Sequence, residues 1–526
     1  MEHDHPAGPA HAVEAAGHHE KGLKGDAIGF WDGVAIGVDS TAPAYSMAAV
    51  LGSLVVIAGI KAPAVLLISF IPMFLIAGAF YYMNRADQDC GTTFSWVTRA
   101  MGPWAGWMGG WAVFTTGVIV VGAQSDVAAY YIMNLLDPIF HADWTSDPQD
   151  AGRWIRMPLA IALTFLLTWI CVAGTELSAK VQRWMVLAQV GALLLFIVTA
   201  AVAIMRGHGE GASFSLSWLI PTHLSGSALI QGMLLGVFMY WGWESAVNLN
   251  EESENAEEAP GKAAVVSTLL LLFIYVGTAV SIVAVANHQM FVDYDDDAGL
   301  FGAVAQQVMG PLWPLLVLSV VVSALASSQT TILPASRTSL SMGVAKALPK
   351  MFQEIDAKHG TPAKGTWVVA IATTLWYLVA SQVSDNFLWD SLSALSIVVA
   401  FYYALTGVAC AIYWRKELTR SVKALLLVGV GPTIGATVLF VLLIFAIKDG
   451  ADPANSYTGS GVLGVGMPLA IAIFLFVLGL VLMVLRFLSP DGREYFTRKG
   501  FEKVSDEVAN AALGPVAPGL GMERVE

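Results

Sequence analysis

Apolar runs of roughly 20 residues recur along nearly the whole chain, separated by short polar connections, and a helix of that length matches the hydrocarbon core of a bilayer. The pattern predicts twelve membrane-spanning helices, at 27–50, 62–83, 103–133, 155–176, 180–205, 228–249, 263–288, 311–343, 366–384, 387–413, 422–448 and 464–487. Composition agrees. Of 526 residues 56% are hydrophobic and 13% charged, with a mean hydropathy of +0.65. The charged share is about half that of a soluble domain, and a soluble chain of this length would break into domains with polar surface between them. The expectation is an all-α integral membrane protein.

Basic residues set the orientation. The connections after odd-numbered spans hold only Lys61, Arg153, Arg156, Arg206 and Lys448 of the 27 Lys and Arg; the termini and the connections after even-numbered spans hold the rest. Basic connections stay in the cytoplasm, so both termini are expected inside a multi-pass protein of the cytoplasmic membrane. Residues 1–25 read as a disordered cytoplasmic tail and 489–526 as a cytoplasmic C-terminal tail. Five of the ten histidines (His3, His5, His11, His18, His19) fall in the first, and metal binding there is the alternative to a plain polar tail. Cys90, Cys171 and Cys410 are too scattered for a disulfide framework or a metal spacing. The net charge of −13 is not that of a nucleic-acid binder. Much of it lies in the runs "EESENAEE" and "DYDDD", the first of which reads as a solvated turn.

Two spans depart from the uniform apolar pattern, and they stand five apart. The first contains "GVAIGVDSTAPAYS" (Gly33 to Ser46), with Gly37, Asp39 and Pro43; the sixth reads "GVFMYWGWESAVNLNEE", with Gly236, Gly242 and Glu244. Interrupted helices at matching places in two five-helix halves point to an inverted-repeat transporter with its site at the midplane, because unwound backbone at that depth must line a cavity or be buried in protein. Two kinked structural helices are the alternative. A carboxylate at the bilayer centre costs about 2.5–3.5 kcal/mol on insertion scales. Two like charges 4 Å apart repel by about 4 kcal/mol at an effective dielectric of 20. An ionised Asp39 therefore favours an ammonium group or a metal cation over a substrate carboxylate, unless it is protonated or a sodium ion intervenes. It could also simply cap the second half of its helix, with Ser40 or Thr41 sharing that role and Pro43 in the first turn. Tyr45 could close over a cation or merely pack.

Four stretches in order carry a family likeness: "GVAIGVDS", "DQDCGTTFSWVTRAMGP", "YWGWESAVNLNEESENAEEAPGKA", and "ASRTSLSMGVAKALPKMF" followed by "TPAKG". Over residues 27–413 the chain resembles the amino acid–polyamine–organocation superfamily of permeases. The resemblance implies five plus five inverted helices, with helices 1 and 6 broken, in a core at 26–413, and two added helices at 414–488. It implies a substrate site at Gly37, Val38, Asp39, Ser40, Tyr45, Phe238, Tyr240 and Trp241, with Phe238 as the covering aromatic. The family's second glycine in the helix 1 break is here Asp39. In helix 5, Gln189 stands where cationic amino acid permeases often have a lysine, which puts lysine-type proton coupling in doubt. Asp39 and Glu244 are the candidate coupling acids. Ser327 and Thr331 in helix 8 are the candidate ligands for sodium, though such hydroxyls also bond back to their own helix. Asp126 reads as an entrance residue or an interhelical partner, and Arg337 as an anchor at the inner end of helix 8.

The expected activity is secondary active transport of an amino acid, with a leaning to amine-bearing or cationic ones, coupled to protons and needing no cofactor. Rival readings are an importer of potassium or a polyamine on the same fold, suggested by Asp39 with Tyr45, and a sensor that does not transport. No catalytic set or phosphate loop lies within the spans, so no enzyme is expected. Partners are a small-molecule substrate and the bilayer; oligomeric state leaves no sequence signal.

Overall fold

The computed structural model describes residues 21–140, 151–207, 211–287, 297–383, 386–500 and 504–514, with positions 209 and 290. The histidine-rich part of the expected tail, through residue 20, lies outside the described residues, as does the chain beyond 514. Ten stretches among the described residues are long and apolar enough to cross a bilayer. The first, Phe30–Ala86, contains α1 (Phe30–Ser40), α2 (Pro43–Ala58) and α3 (Ala62–Ala86). It is followed by α4 (Thr93–Met101), α5 (Pro103–Phe140), α6 (Ala151–Ala173), α7 (Thr175–Met205) and α8 (Gly226–Met239). Then come α9 (Ala259–Val285), α10 (Asp297–Met309), α11 (Trp313–Val344), α12 (Ala363–Val383), α13 (Phe387–Tyr413), α14 (Gly431–Gly450) and α15 (Met467–Leu488). A short hairpin, Gly461–Val462 with Val465–Gly466, joins the last two.

Proline marks many helix starts. Pro43, Pro63, Pro260, Pro314, Pro432 and Pro468 each occupy the first or second position of their helices. There the missing N–H is one that would have no partner in any case. The outer surface is apolar: Trp184, Leu187, Phe273, Leu375, Phe440 and Leu485 are exposed, as lipid contact requires. The polar residues turn inward. α11 is buried from Ser319 to Gly343 save the half-exposed Val322 and Leu325, and packs most extensively along α5. Its many hydroxyls survive burial in part because half of them donate to carbonyls of their own helix, among them Ser328 to Ala324 (2.8 Å), Thr330 to Ala326 (2.9 Å) and Ser339 to Ser336 (2.8 Å).

Charge concentrates at the end of the bundle that carries the termini. Arg337, fully buried, binds both oxygens of the equally buried Glu252 (2.8 and 3.0 Å) and the Thr175 hydroxyl (3.1 Å). Lys21 reaches Glu251 (2.7 Å) and Asp89 (3.0 Å). Burial works against the charge on Asp89, but the Lys21 ammonium, the Ser341 and Ser95 hydroxyls and the Gly91 amide outweigh it and hold the carboxyl well below the usual range. The expectation that the run from Glu251 to Glu258 is a solvated turn is therefore corrected. Glu254 is exposed, but Glu251 and Glu252 each have a cation, and backbone bonds tie this segment to Ala27 and Ile28 (2.8–3.0 Å). Asp126 likewise resolves as an interhelical partner, paired with Arg156 of α6 (3.1 Å) and accepting from Tyr377 of α12 (2.5 Å).

Removing one member of a buried pair leaves the other charge uncompensated. Arg337→Met is expected to lower stability by about 3–5 kcal/mol, whereas Arg337→Met combined with Glu252→Leu recovers most of that loss. Thermal unfolding in detergent micelles checks both.

Candidate functional site

The break between α1 and α2 leaves backbone groups without helical partners, and side chains replace them. The Thr41 hydroxyl donates to the Val38 carbonyl (2.7 Å), Ser327 of α11 to the Ser40 carbonyl (2.8 Å), and Ser46 to the Thr41 carbonyl (2.8 Å). The Ser323 hydroxyl accepts from the Tyr45 amide (3.2 Å). The capping alternative for Asp39, Ser40 or Thr41 is not formed: the residue before Pro43 is Ala42, in the left-handed region (φ +49°), and no side chain caps α2. The Asp39 carboxylate turns to α7 and accepts from the Gln189 amide.

The second break follows α8 and runs through two short 3-10 turns, Trp243–Ala246 and Asn250–Glu252. Gly242 has φ +123°, and a Cβ there would lie 2.6 Å from the Ser40 carbonyl oxygen. Only glycine meets both demands. The two breaks thus touch. The Ser40 and Ser245 hydroxyls are 2.7 Å apart, and the Tyr275 hydroxyl donates to the Met239 carbonyl (2.8 Å) while lying 3.4 Å from that of Thr41. Glu244 fastens the second break to α13. Its oxygens accept from the Tyr402 and Tyr403 hydroxyls and from the Trp241 indole (3.2 Å), all buried.

Above the junction lies a cavity of about 410 Å³ between α2, α8, α13 and the ends of α14 and α15, on the side of the connections at 59–61 and 451–466. Tyr45, Gln231, Phe238, Trp389 and Asp449 are among its walls. Below it is a second space of about 10 Å³, roughly one water, bounded by Ser40, Thr41, Ser46, Gln124 and Trp241. Tyr45, Phe238 and Leu392 line both and form the constriction between them.

Of the residues expected from the sequence, the structure brings Ser40, Tyr45, Phe238 and Trp241 to these cavities. Gly37, Val38, Asp39 and Tyr240 do not line them. Gly37 packs on Ser267, whose Oγ a Cβ would meet at 2.5 Å, and Tyr240 stacks edge-on with Phe70 and Tyr275. Glu244 stands behind Trp241. The Ser327 hydroxyl is engaged with the Ser40 carbonyl and the Gln124 amide (2.8 Å), and Thr331 is buried a turn further along α11. Gln124, Leu392, Asp449 and the Tyr402–Tyr403 pair were not expected. Polar residues inside an apolar span are a usable signal. Gln124 in "VVGAQSD" and the tandem tyrosines in "FYYA" carry it; Asp449, at a span's end, does not.

The family described as amino acid permease matches residues 28–473. The human large neutral amino acids transporter small subunit 2 is 25% identical over 407 residues, covering 75% of this chain and 70% of the relative. The branched-chain amino acid permease of Lactococcus lactis is 25% identical over 358 residues, covering 65% and 73%. An uncharacterized transporter of Mycobacterium tuberculosis is 25% identical over 379 residues, covering 72% and 75%.

Loss of a donor to a buried carbonyl costs about 1–3 kcal/mol. Ser327→Ala, which orphans the Ser40 carbonyl, is expected to destabilise by that amount. Ser319→Ala, whose hydroxyl bonds only within α11, is expected to cost less. The difference in unfolding temperature between the two variants is the measurement.

Proposed function

The chain belongs to the amino acid permease family, whose members are transporters and not enzymes, and from that premise we propose that it carries an amino acid across the cytoplasmic membrane by alternating access, driven by protons. The observation that carries the reading is the contact of two helix breaks at the floor of a cavity. Unwound backbone at that depth serves a site, and the first turn of α2 supplies the partial positive charge that suits a carboxylate. In this reading the ten apolar stretches give eleven passes, and an interrupted segment outside them gives the twelfth. Phe30–Ala86 turns at Gly59–Lys61 and contributes two, and the interrupted segment from Gly226 to Glu252 is the sixth. The first ten passes form the inverted repeat. With the basic connections in the cytoplasm, both termini lie inside and the cavity faces out.

Phe238 and Tyr45, at the constriction, are the proposed gate over the substrate. The leaning to amine-bearing substrates moves from Asp39 to the cavity mouth: among the described residues Asp449 is the one carboxylate on the walls of the larger cavity, and no described Lys, Arg or His lines it. Such a mouth concentrates cationic groups. The names of the relatives, for large neutral and branched-chain amino acids, favour an apolar side chain at the constriction. The potassium reading loses its support, since Asp39 faces Gln189 while Tyr45 faces the cavity.

Purified protein in liposomes is expected to exchange labelled leucine and lysine and to leave putrescine and potassium unmoved. Transport of putrescine or potassium without any amino acid overturns the reading. Phe238→Ala is expected to weaken substrate affinity by about tenfold, or 1.4 kcal/mol. Asp449→Asn is expected to raise KM for lysine by roughly 3-fold and to leave leucine unchanged, an effect that fades as salt screens the exposed charge.

A further inference from the structure

Asp39 and Gln189 are both fully buried. The Gln189 Nε2 donates to Asp39 Oδ1. Among the described residues two atoms of the pair then have no hydrogen-bond partner: Asp39 Oδ2 and Gln189 Oε1. Both are acceptors, so neither can satisfy the other while Asp39 is a carboxylate. A single proton on Oδ2 changes this. The acid becomes a donor, the amide oxygen is its natural acceptor, and the two groups exchange one hydrogen bond in each direction. Buried polar groups are overwhelmingly paired, and a carboxylate held by one neutral donor away from water is costly.

The elements packed most closely against α1 are α7, α9, α11 and the Trp243–Ala246 turn, and among the described residues none brings Asp39 a cation. On α7, Glu176, Lys180 and Arg183 all lie in the first turns. Arg183 is bound to Asp32, and its six residues of separation from Gln189 amount to about 9 Å of helix. On α9, Lys262 pairs with Glu258 and the Tyr275 hydroxyl is given to the Met239 carbonyl. On α11, Arg337 is committed to Glu252. On the turn, Glu244 is held by Tyr402 and Tyr403.

We propose that Asp39 and Gln189 form a one-proton acid–amide pair and that this pair is the coupling site of the transport cycle. The proposal rests on the transport reading above and gives its proton an address. The step is a simple transfer: a proton from water on one side binds Oδ2, and the same O–H bond breaks to water on the other side when the break opens. Ser40, the next residue, contributes to the floor of the cavity and touches Ser245. Parting of the two breaks therefore pulls on Asp39 directly. Gln189 needs no titration of its own; it supplies the acceptor that makes the protonated state favourable.

Asp39→Asn tests this, because an asparagine can both donate to and accept from Gln189 without a proton and so preserves the packing. In liposomes, wild-type protein is expected to hold leucine about tenfold concentrated per unit of inward pH gradient, the equivalent of one proton per turnover. Asp39→Asn is expected to keep leucine counterflow and lose the gradient-driven accumulation. Infrared difference spectra between acid and alkaline samples are expected to show a buried carboxylic-acid carbonyl band that Asp39→Asn removes. Gln189→Glu, which places two acids in one site, is expected to raise the pH midpoint of uptake. Accumulation by Asp39→Asn, an unchanged infrared band, an unshifted Gln189→Glu midpoint, or a folded Asp39→Asn protein without counterflow each overturns the proposal. Wild-type protein that exchanges no amino acid instead overturns the transport reading, and the infrared band still decides whether the pair holds a proton.

Discussion

Every backbone N–H and C=O inside a bilayer has to find a partner within the protein, and the two helix breaks are where that demand is hardest to meet. The solution here is a set of hydroxyls. Ser323 and Ser327 come from α11, Tyr275 from α9, and Thr41 and Ser46 from the break itself. They take over the bonds that an uninterrupted helix would have made. This explains why α11 is at once hydroxyl-rich and buried: half of its serines and threonines serve their own helix, while two are spent on α1 and α2. It also explains why the breaks lie against each other. Two irregular segments that share one set of donors expose less unsatisfied backbone than two placed apart, and Gly242 against the Ser40 carbonyl brings them into contact.

From this junction the polarity of the molecule follows. On one side the walls separate into a cavity. On the other they are pulled shut by ion pairs, the fully buried Arg337 with Glu252 and the half-buried Lys21 with Glu251 and Asp89. Exposed surface pairs contribute little, but a fully buried pair cannot be parted without leaving charge in low dielectric. In the proposed transport cycle the sealed end is thus the one whose opening must be driven. Glu244 connects the two regions, because the tyrosines that hold it belong to α13, whose other end forms the wall of the cavity at Trp389 and Leu392.

The ten apolar stretches and the two breaks were legible in the sequence because apolar length and its interruption are one-dimensional signals. Helices stand at the expected places, and Gly242 and Pro43 mark the breaks. The direction of a side chain was not legible. Asp39 in a glycine-rich break reads as a ligand, yet a rotation of one residue along α1 sends it to α7 while Ser40 takes the cavity. Gln189 illustrates the same limit from the other side. Alone it is a residue that does not titrate; facing a buried acid it becomes that acid's partner. Glu251 and Glu252 read as solvent-facing because their cations, Lys21 and Arg337, are 230 and 85 residues away.

In the proposed transport cycle Asp39 holds the coupling proton and Asp449 attracts solute at the cavity mouth, and the separation of the two keeps them from interfering. Asp449 is exposed, so its charge acts through water, weakly and over a Debye length of about 8 Å. That suits attraction of a solute and poorly suits selection at close range. Asp39 is fully enclosed, so its charge state is tied to packing, and any change in that state must be matched by movement of α1 against α7. A permease that accepted apolar amino acids could not hold an open carboxylate against the substrate's own carboxylate. Turning Asp39 away from the cavity, one residue behind the backbone that lines it, removes that repulsion and keeps the acid mechanically connected to the site.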